Sequence, residues 1–465
     1  MDNVFFKRAR FFSYCFLCNL RKPSALKYAL LALAVITVLL NAPGHLTSDP
    51  LYQMQEGITG IYTSIHPPLM GYVLGWLNRV YPGYILFFLM DIAIFYIGIY
   101  LFLKDRVEGR IATLIVVVLT CLSPVILINN GTIWKDILFA NLSLLGFSIL
   151  SRERCGVIGY AFALLCFSMV IMVRQQGLAV AMCGALCFAL HQPANRILVK
   201  LIKFMLSFLL AHFLSKIILF LIIWSGATIA DTTFRSGLSN VLLYDVSALV
   251  YTHGTGVLTE FSNAGLNVPE YYQMVLRYYS DTRHDFMDAG PAAAPIVFNW
   301  DVLSAQWLHV VKEYPFAYLV HRWNVFSWLL GFHDVMQCIP VIVGMDGPPD
   351  IIKSLNLEHT SYPYKGFLWN YAHYFFDGFL YRPWVYGLVS GLSALFLWKR
   401  RQFAYARAVM IFILAAAVYV GSYFVFSIAC DFRYAYLLIL ATHLSLLVVL
   451  PEIFVFLVKR WKNAG

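Results

Sequence analysis

Four short polar motifs interrupt an otherwise apolar chain. Asp49 and Glu56 share the segment Ser48-Asp-Pro-Leu-Tyr-Gln-Met-Gln-Glu-Gly57, which is followed by His66-Pro67-Pro68-Leu69. Further on come Trp134-Lys135-Asp136, then Arg174-Gln175-Gln176, and near the end Asp431-Phe432-Arg433-Tyr434. These residue types divide the labour of a group transfer. A carboxylate takes the proton of an acceptor hydroxyl or amine. Arginine matches phosphate oxygens in a bidentate way, and lysine adds a point charge. The set therefore describes chemistry in which an acidic residue activates an acceptor while cations stabilise a departing phosphate.

The elements that must position these residues are membrane helices. Of 465 residues, 60% are hydrophobic, 17% aromatic and only 12% charged, and the mean hydropathy is +0.71. A soluble domain of this size needs far more surface charge. The net charge of +10 sits in short basic clusters between apolar runs, the pattern of cytoplasmic loops and not of a nucleic-acid surface. Runs long enough for roughly 30 Å of hydrocarbon fall near 27–43, 83–103, 111–129, 137–151, 155–173, 176–190, 201–224, 379–398, 408–427 and 437–458. Lys104 to Arg110, Arg152 to Arg154, Arg196 to Lys203, Lys399 to Arg407 and Lys459 to Lys462 then share one side, together with Lys7, Arg8, Arg10, Arg21 and Lys22. This predicts an all-α polytopic protein of about ten transmembrane helices with both termini cytoplasmic. The first run has a basic lead, but Leu40-Asn41-Ala42-Pro43 is a poor cleavage site, so it is read as an uncleaved helix.

Alternation places all four polar motifs on the outer face. Residues 1–224 form an N-terminal transmembrane module whose first outer loop, 44–82, carries Asp49, and residues 379–465 supply the C-terminal helices. Residues 225–378 read as one extracytoplasmic, mostly helical domain. Within it, Pro315–Phe332 holds Tyr318, His321, Arg322, Trp323 and Trp328, and reads as a helix lying at the interface, because a crossing there would turn Lys399 to Arg407 outward. Among the nine cysteines only Cys338 and Cys430 are placed to pair outside the membrane. Cys15 and Cys18 have metal or redox spacing without a second pair to accompany them.

Each motif also has an ordinary structural use. Asp49-Pro50 serves as a turn or cap elsewhere, Lys135 and Asp136 as an interfacial ion pair, Arg174 and Arg433 as snorkelling anchors, and His66 as the cap of a proline-started helix. Asp91 and Lys216 lie inside apolar runs, where they pair with each other or face a cavity. What favours function is the set: ionisable residues used this sparingly, yet gathered at one depth on one side, point to a polar substrate there.

The chain resembles the integral-membrane GT-C glycosyltransferases, the superfamily of the protein O-mannosyltransferases and the bacterial lipid A aminoarabinose transferases. The resemblance covers the N-terminal seven-helix module, with an Asp and a later Pro-Pro-Leu in its first outer loop, a second outer Asp and an Arg-Tyr pair near the last helix. It implies catalytic roles for Asp49 and Asp136, a first-loop helix at His66-Pro67-Pro68, and a phosphate-facing Arg433-Tyr434. Glu56, His66, Lys135, Arg174, Arg433 and Tyr434 are the expected substrate-binding residues. Many relatives carry an Asp-Glu pair where this chain has Asp49-Pro50. The implied donor is a polyprenyl-phosphate-linked sugar, the acceptor an outer-face glycan, lipid or protein, and the location a bacterial inner membrane with the site facing the periplasm. No metal is required by the residues, and a divalent cation shared by Asp49 and Asp136 stays open. The same charges would also line the path of a transporter or flippase for a lipid-linked glycan, or the site of a glycan polymerase; a transporter is expected to place polar or broken helices at the midplane.

Overall fold

The computed structural model of the protein describes residues 23–63, 66–106, 110–191, 196–229, 235–285 and 299–464. Cys15, Cys18 and the basic residues of the N-terminus lie outside the described residues. Helices dominate. The bundle opens with α1 (Pro23–Asn41), α2 (Ser48–Thr59), α3 (Leu69–Val80), α4 (Ile85–Leu103), α5 (Arg110–Leu122), α6 (Pro124–Leu127), α7 (Lys135–Leu150), α8 (Val157–Val173), α9 (Gly177–His191) and α10 (Ile197–Trp224). It is followed by α11 (Arg235–His253), α12 (Thr259–Asn263), α13 (Val268–Tyr278), α14 (Trp300–Glu313), α15 (Pro315–Leu329), α16 (Pro349–Ser354) and α17 (Lys365–His373). The last three helices, α18 (Pro383–Trp398), α19 (Ala404–Phe426) and α20 (Tyr436–Ala464), return to the bundle. Sheet structure among the described residues is one short parallel pair, β1 (Ile61–Tyr62) with β2 (Thr228–Ile229).

Among the described residues, five helical stretches are long and apolar enough to cross a membrane: Ser24–Asn41, Ile85–Leu103, Ile197–Trp224, Ala404–Phe426 and Phe432–Val458. They mark an integral membrane protein. A sixth is added if Ile111–Leu122 and Pro124–Gly131, bent by 62° at Ser123-Pro124, count as one span; proline removes a backbone donor and turns the preceding residue out of the helical region. Length and composition thus give five or six crossings and not the ten expected. The shortfall lies in α7, α8, α9 and α18, which run to 16, 17, 15 and 16 residues, short of the ~20 that a straight crossing takes. α7 shows why a short helix is tolerated: it is buried along nearly all its length, inside other helices.

Two hydrophobic cores are present among the described residues. The larger unites the bundle with residues from Leu329 to Tyr381. The smaller, built around Leu243, Val246, Phe261, Val275, Leu303 and Val310, belongs to α11–α14. The described residues of the interval read as one domain therefore fall into a helical unit, residues 238–285 and 299–318, and a tail that packs on the bundle. α15 joins the two and inverts the usual polarity of a surface helix. His321 and Arg322 point inward to Asp245, at 3.2 and 2.6 Å, while Phe316, Val320 and Trp323 are exposed. A fully buried charge pair has to be satisfied by its neighbours, and Trp307 Nε1 donates to the second Asp245 oxygen at 2.8 Å.

The basic loops do gather at one end. Arg152 pairs with Asp105 at 2.9 Å, Arg400 with Glu452 at 2.5 Å, and Arg407 donates to the His191 carbonyl at 3.2 Å. Cys338 and Cys430, at the other end, form a disulfide. Asp91 does not meet Lys216: it accepts from Asn141 Nδ2 at 2.9 Å, and Lys216 is exposed on α10.

α2 and α3 cross at a point only glycine permits. A Cβ on Gly75 would overlap the Gly57 carbonyl, and one on Gly57 would overlap the Gly71 carbonyl. Backbone on both sides leaves nothing flexible to move. Gly75→Ala is expected to destabilise the protein by about 1–3 kcal/mol, read as a lowered Tm in detergent. Gly387→Ala, on an exposed stretch of α18 with open space around it, should leave Tm unchanged or slightly raised.

Candidate active site

The end of the bundle away from the basic loops is held together by short extended segments. His45 donates its backbone N–H to the Gly131 carbonyl at 2.8 Å and accepts from the Ile133 N–H at 2.9 Å. On its other side Leu46 exchanges bonds with Gly344 and Asp346, both at 3.0 Å. Burial keeps the His45 ring neutral, pushing its pKa down to about 3. It can then accept the Gly344 N–H on Nδ1 at 3.1 Å while Nε2 faces Asn41 Oδ1 at 3.0 Å. Trp134 Nε1 donates to Thr47 Oγ1 at 2.8 Å. These bonds place the start of α2, which carries Asp49, beside the start of α7, which carries Lys135 and Asp136.

The loop from α19 to α20 brings Arg433 to the same place. Arg433 Nη1 lies 2.8 Å from Asp49 Oδ2, its Nε lies 3.9 Å from Asp136 Oδ2, and its guanidinium is 4.9 Å from the centre of the Trp134 ring. Arg174, in the turn between α8 and α9, forms an ion pair with the buried Asp136. It also donates to Tyr419 Oη at 2.6 Å, and its guanidinium lies over the rings of Tyr419, Tyr423 and Tyr434. Lys135 Nζ donates to His66 Nδ1 at 2.6 Å. Asp49, His66, Lys135, Asp136, Arg174, Arg433 and Tyr434, distant in sequence, thus form one cluster. Glu56 stands at its margin, its carboxylate accepting from the Thr63 N–H at 2.9 Å and the Thr63 hydroxyl at 2.6 Å.

The two aspartates differ in access. Asp49 keeps 32% of its side chain exposed and Asp136 only 1%. Burial pushes the Asp49 carboxyl up, but the positive charges of Arg433 and Lys135 outweigh it and hold the group well below the usual carboxylate range. Asp136 is buried and paired with Arg174. Burial, with repulsion from Arg174 and Arg433, brings the Lys135 ammonium down to about 7 against the pull of Asp49 and Glu56. Burial and Lys135 together bring His66 down to about 3, so it is a neutral acceptor.

Sequence reasoning missed Tyr419 and Tyr423. Their signal was present as two tyrosines one helical turn apart in an apolar run, hence on one face. Among the described residues no group of three or more His, Cys, Asp or Glu side chains is placed to hold a metal ion, and Asp49 and Asp136 each face a guanidinium. The chain matches no protein-family model, no curated protein and no solved structure. The geometry of the cluster alone carries the functional reading.

Removing Arg174 would take from the buried Asp136 its close ion-pair partner and leave it Arg433 Nε at 3.9 Å, at a cost of about 3–5 kcal/mol. Arg174→Leu is therefore expected to lower Tm strongly. The double variant Asp136→Leu with Arg174→Leu should recover much of the loss, because both charges of the pair are gone and Arg433 keeps Asp49 and Asp431 as partners; a double-mutant cycle in detergent measures both.

Proposed function

We propose that the protein is an integral-membrane glycosyltransferase of the GT-C kind, which moves a sugar from a polyprenyl-phosphate donor to an acceptor at the outer face of the membrane. The observation that carries this reading is the contact of Asp49 with Arg433: a partly exposed carboxylate and a phosphate-binding guanidinium, from the two ends of the chain, 2.8 Å apart. Asp49 takes the proton of the acceptor hydroxyl or amine as the new bond forms to the anomeric carbon. The bond from that carbon to the phosphate oxygen breaks, and polyprenyl phosphate leaves with the electron pair, its charge met by Arg433 and Lys135 with Arg174 behind them. In the free protein Arg433 keeps Asp49 acidic and so a weak base. Donor phosphate competes for that guanidinium, raises the basicity of Asp49 and prepares it for the acceptor.

Further features suit this reading. The disulfide fits an oxidising compartment, and the basic loops fit the cytoplasmic side. We count α7, α8, α9 and α18 as short crossings, which makes ten spans, and we take both termini as cytoplasmic and residues 225–378 as outside, in a bacterial inner membrane. The acceptor class is a glycan, lipid or protein.

Transfer of labelled sugar from a synthetic polyprenyl-phosphate donor by purified protein in nanodiscs tests the proposal. Asp49→Asn is expected to remove roughly 10²–10⁴-fold of rate with donor binding retained, and Arg433→Ala to weaken donor binding as well as rate. Near wild-type turnover by Asp49→Asn would end the general-base role. A wild type that moves lipid across the bilayer without transferring sugar would put a flippase in its place.

A pH series gives an independent check. Lys135 is charged below about pH 7 and neutral above it, so donor affinity should be highest in the acid range and fall as pH rises through neutrality. Bound phosphate favours the ammonium and moves the midpoint upward. Lys135→Arg, which stays charged, should bind donor with no such fall.

A further inference from the structure

The segment Ser427–Ala435 that delivers Arg433 is gripped from the helical domain at every few residues. Arg322, held by Asp245, donates to the Ser427 carbonyl at 2.8 Å. Residues 282–284 run antiparallel to 428–430: the His284 N–H donates to the Ile428 carbonyl at 2.7 Å, the Cys430 N–H donates to the Thr282 carbonyl at 3.0 Å, and Arg283 faces Ala429. The disulfide to Cys338 pins the same strand. The side chain of Arg283 then crosses to the site, its Nη2 donating to Asp431 Oδ1 at 3.2 Å. The other oxygen of Asp431 accepts from Arg433 Nε at 3.1 Å and lies 3.0 Å from its Nη2. One edge of the Arg433 fork is thereby occupied, and Nη1 is turned toward Asp49.

We infer that Arg283 and Asp431 are positioning residues for Arg433, so that the helical domain, and not the membrane bundle alone, sets where the phosphate-binding guanidinium stands. The inference rests on the reading of Arg433 as the phosphate ligand. A guanidinium at the end of a long side chain has several rotamers to lose, and misplacement by about 1 Å costs roughly 10²-fold in rate. Asp431 removes that freedom by taking two donors at once. Arg283 keeps Asp431 from swinging toward Arg433 unopposed, and because it sits on the ladder with residues 428–430, any shift of the domain is passed to the site. Trp134 below and Tyr434 beside the guanidinium, at 4.9 and 5.4 Å, complete its seat.

The test uses the full chain in nanodiscs with Arg283→Ala, Arg283→Lys and Asp431→Asn. Two readouts are taken: kinetics with a synthetic polyprenyl-phosphate sugar, and the pH dependence of carbodiimide labelling of Asp49, followed by mass spectrometry of its peptide. Asp49 is faced by Arg433, Lys135 and His66, and only the first of these is touched by the chain from Arg283 through Asp431. Arg283→Ala should raise the donor KM by about tenfold, the scale of one lost charged hydrogen bond. It should also carry Asp49 labelling to higher pH while Tm stays within a few degrees of wild type. Arg283→Lys should restore much of both, since it returns the charge without the fork. If Arg283→Ala does not fold, Asp431→Asn, which preserves size and one acceptor, gives the same two readouts.

Unchanged labelling of Asp49 in a folded Arg283→Ala or Asp431→Asn protein overturns the inference. So does a loss of activity confined to kcat that tracks Tm, because that is what a purely structural residue produces. Absence of sugar transfer by the wild type would overturn the proposed function instead, and the labelling of Asp49 would still decide whether Arg283 and Asp431 hold Arg433.

Discussion

Arg433 is the interaction on which the rest depends. Its guanidinium stands between Asp49 and Asp431, with Asp136 beyond, in a place almost closed to water. A charge buried there is tolerated only with partners of good geometry, since removing one partner leaves several kcal/mol of desolvation unanswered. Asp49 comes from the first loop, Asp136 from α7 and Arg433 from the loop before the last helix. Their mutual need fixes how the two ends of the chain meet.

The surrounding architecture serves that meeting. The first loop is not slack: α2 and α3 cross at Gly57, Gly71 and Gly75, and the peptides around His45 are bonded on one side to residues 131–133 and on the other to residues 344–346. The aromatic side chains contribute in a second way. Tyr419, Tyr423 and Tyr434 give Arg174 ring faces and a hydroxyl, so a guanidinium in the apolar bundle keeps both an ion pair and favourable ring contacts. Arg174 is thus held from several sides by residues of the bundle itself.

The two ends of the bundle are electrostatically unlike. One carries half-buried arginines paired with Asp105 and Glu452, where solvent and salt weaken each pair. The other buries its charges and uses backbone hydrogen bonds, a disulfide and a separate helical domain to place them. Such effort at one end, in a protein otherwise built from apolar helices, is the structural counterpart of the sparing motif pattern in the sequence.

Local properties of the chain were enough for the class of fold and for the membership of the cluster. Hydropathy made the chain an all-helical membrane protein. The rhythm of basic loops sorted the polar motifs to one end, and exclusion from apolar runs singled out Cys338 and Cys430 for each other. Asp49, His66, Lys135, Asp136, Arg174 and Arg433 were all legible as members of one polar set. Pairing and depth were not legible, and they came from packing in three dimensions. That Asp136 is sealed beneath Arg174 while Asp49 stays partly open, that Asp91 meets Asn141 and not Lys216, and that Asp245 lies under His321 and Arg322 depend on contacts between segments remote in sequence. The number of spans is undecided by local pattern for the same reason. A helix such as α7 packed inside other helices need not show the length or apolarity that contact with lipid demands.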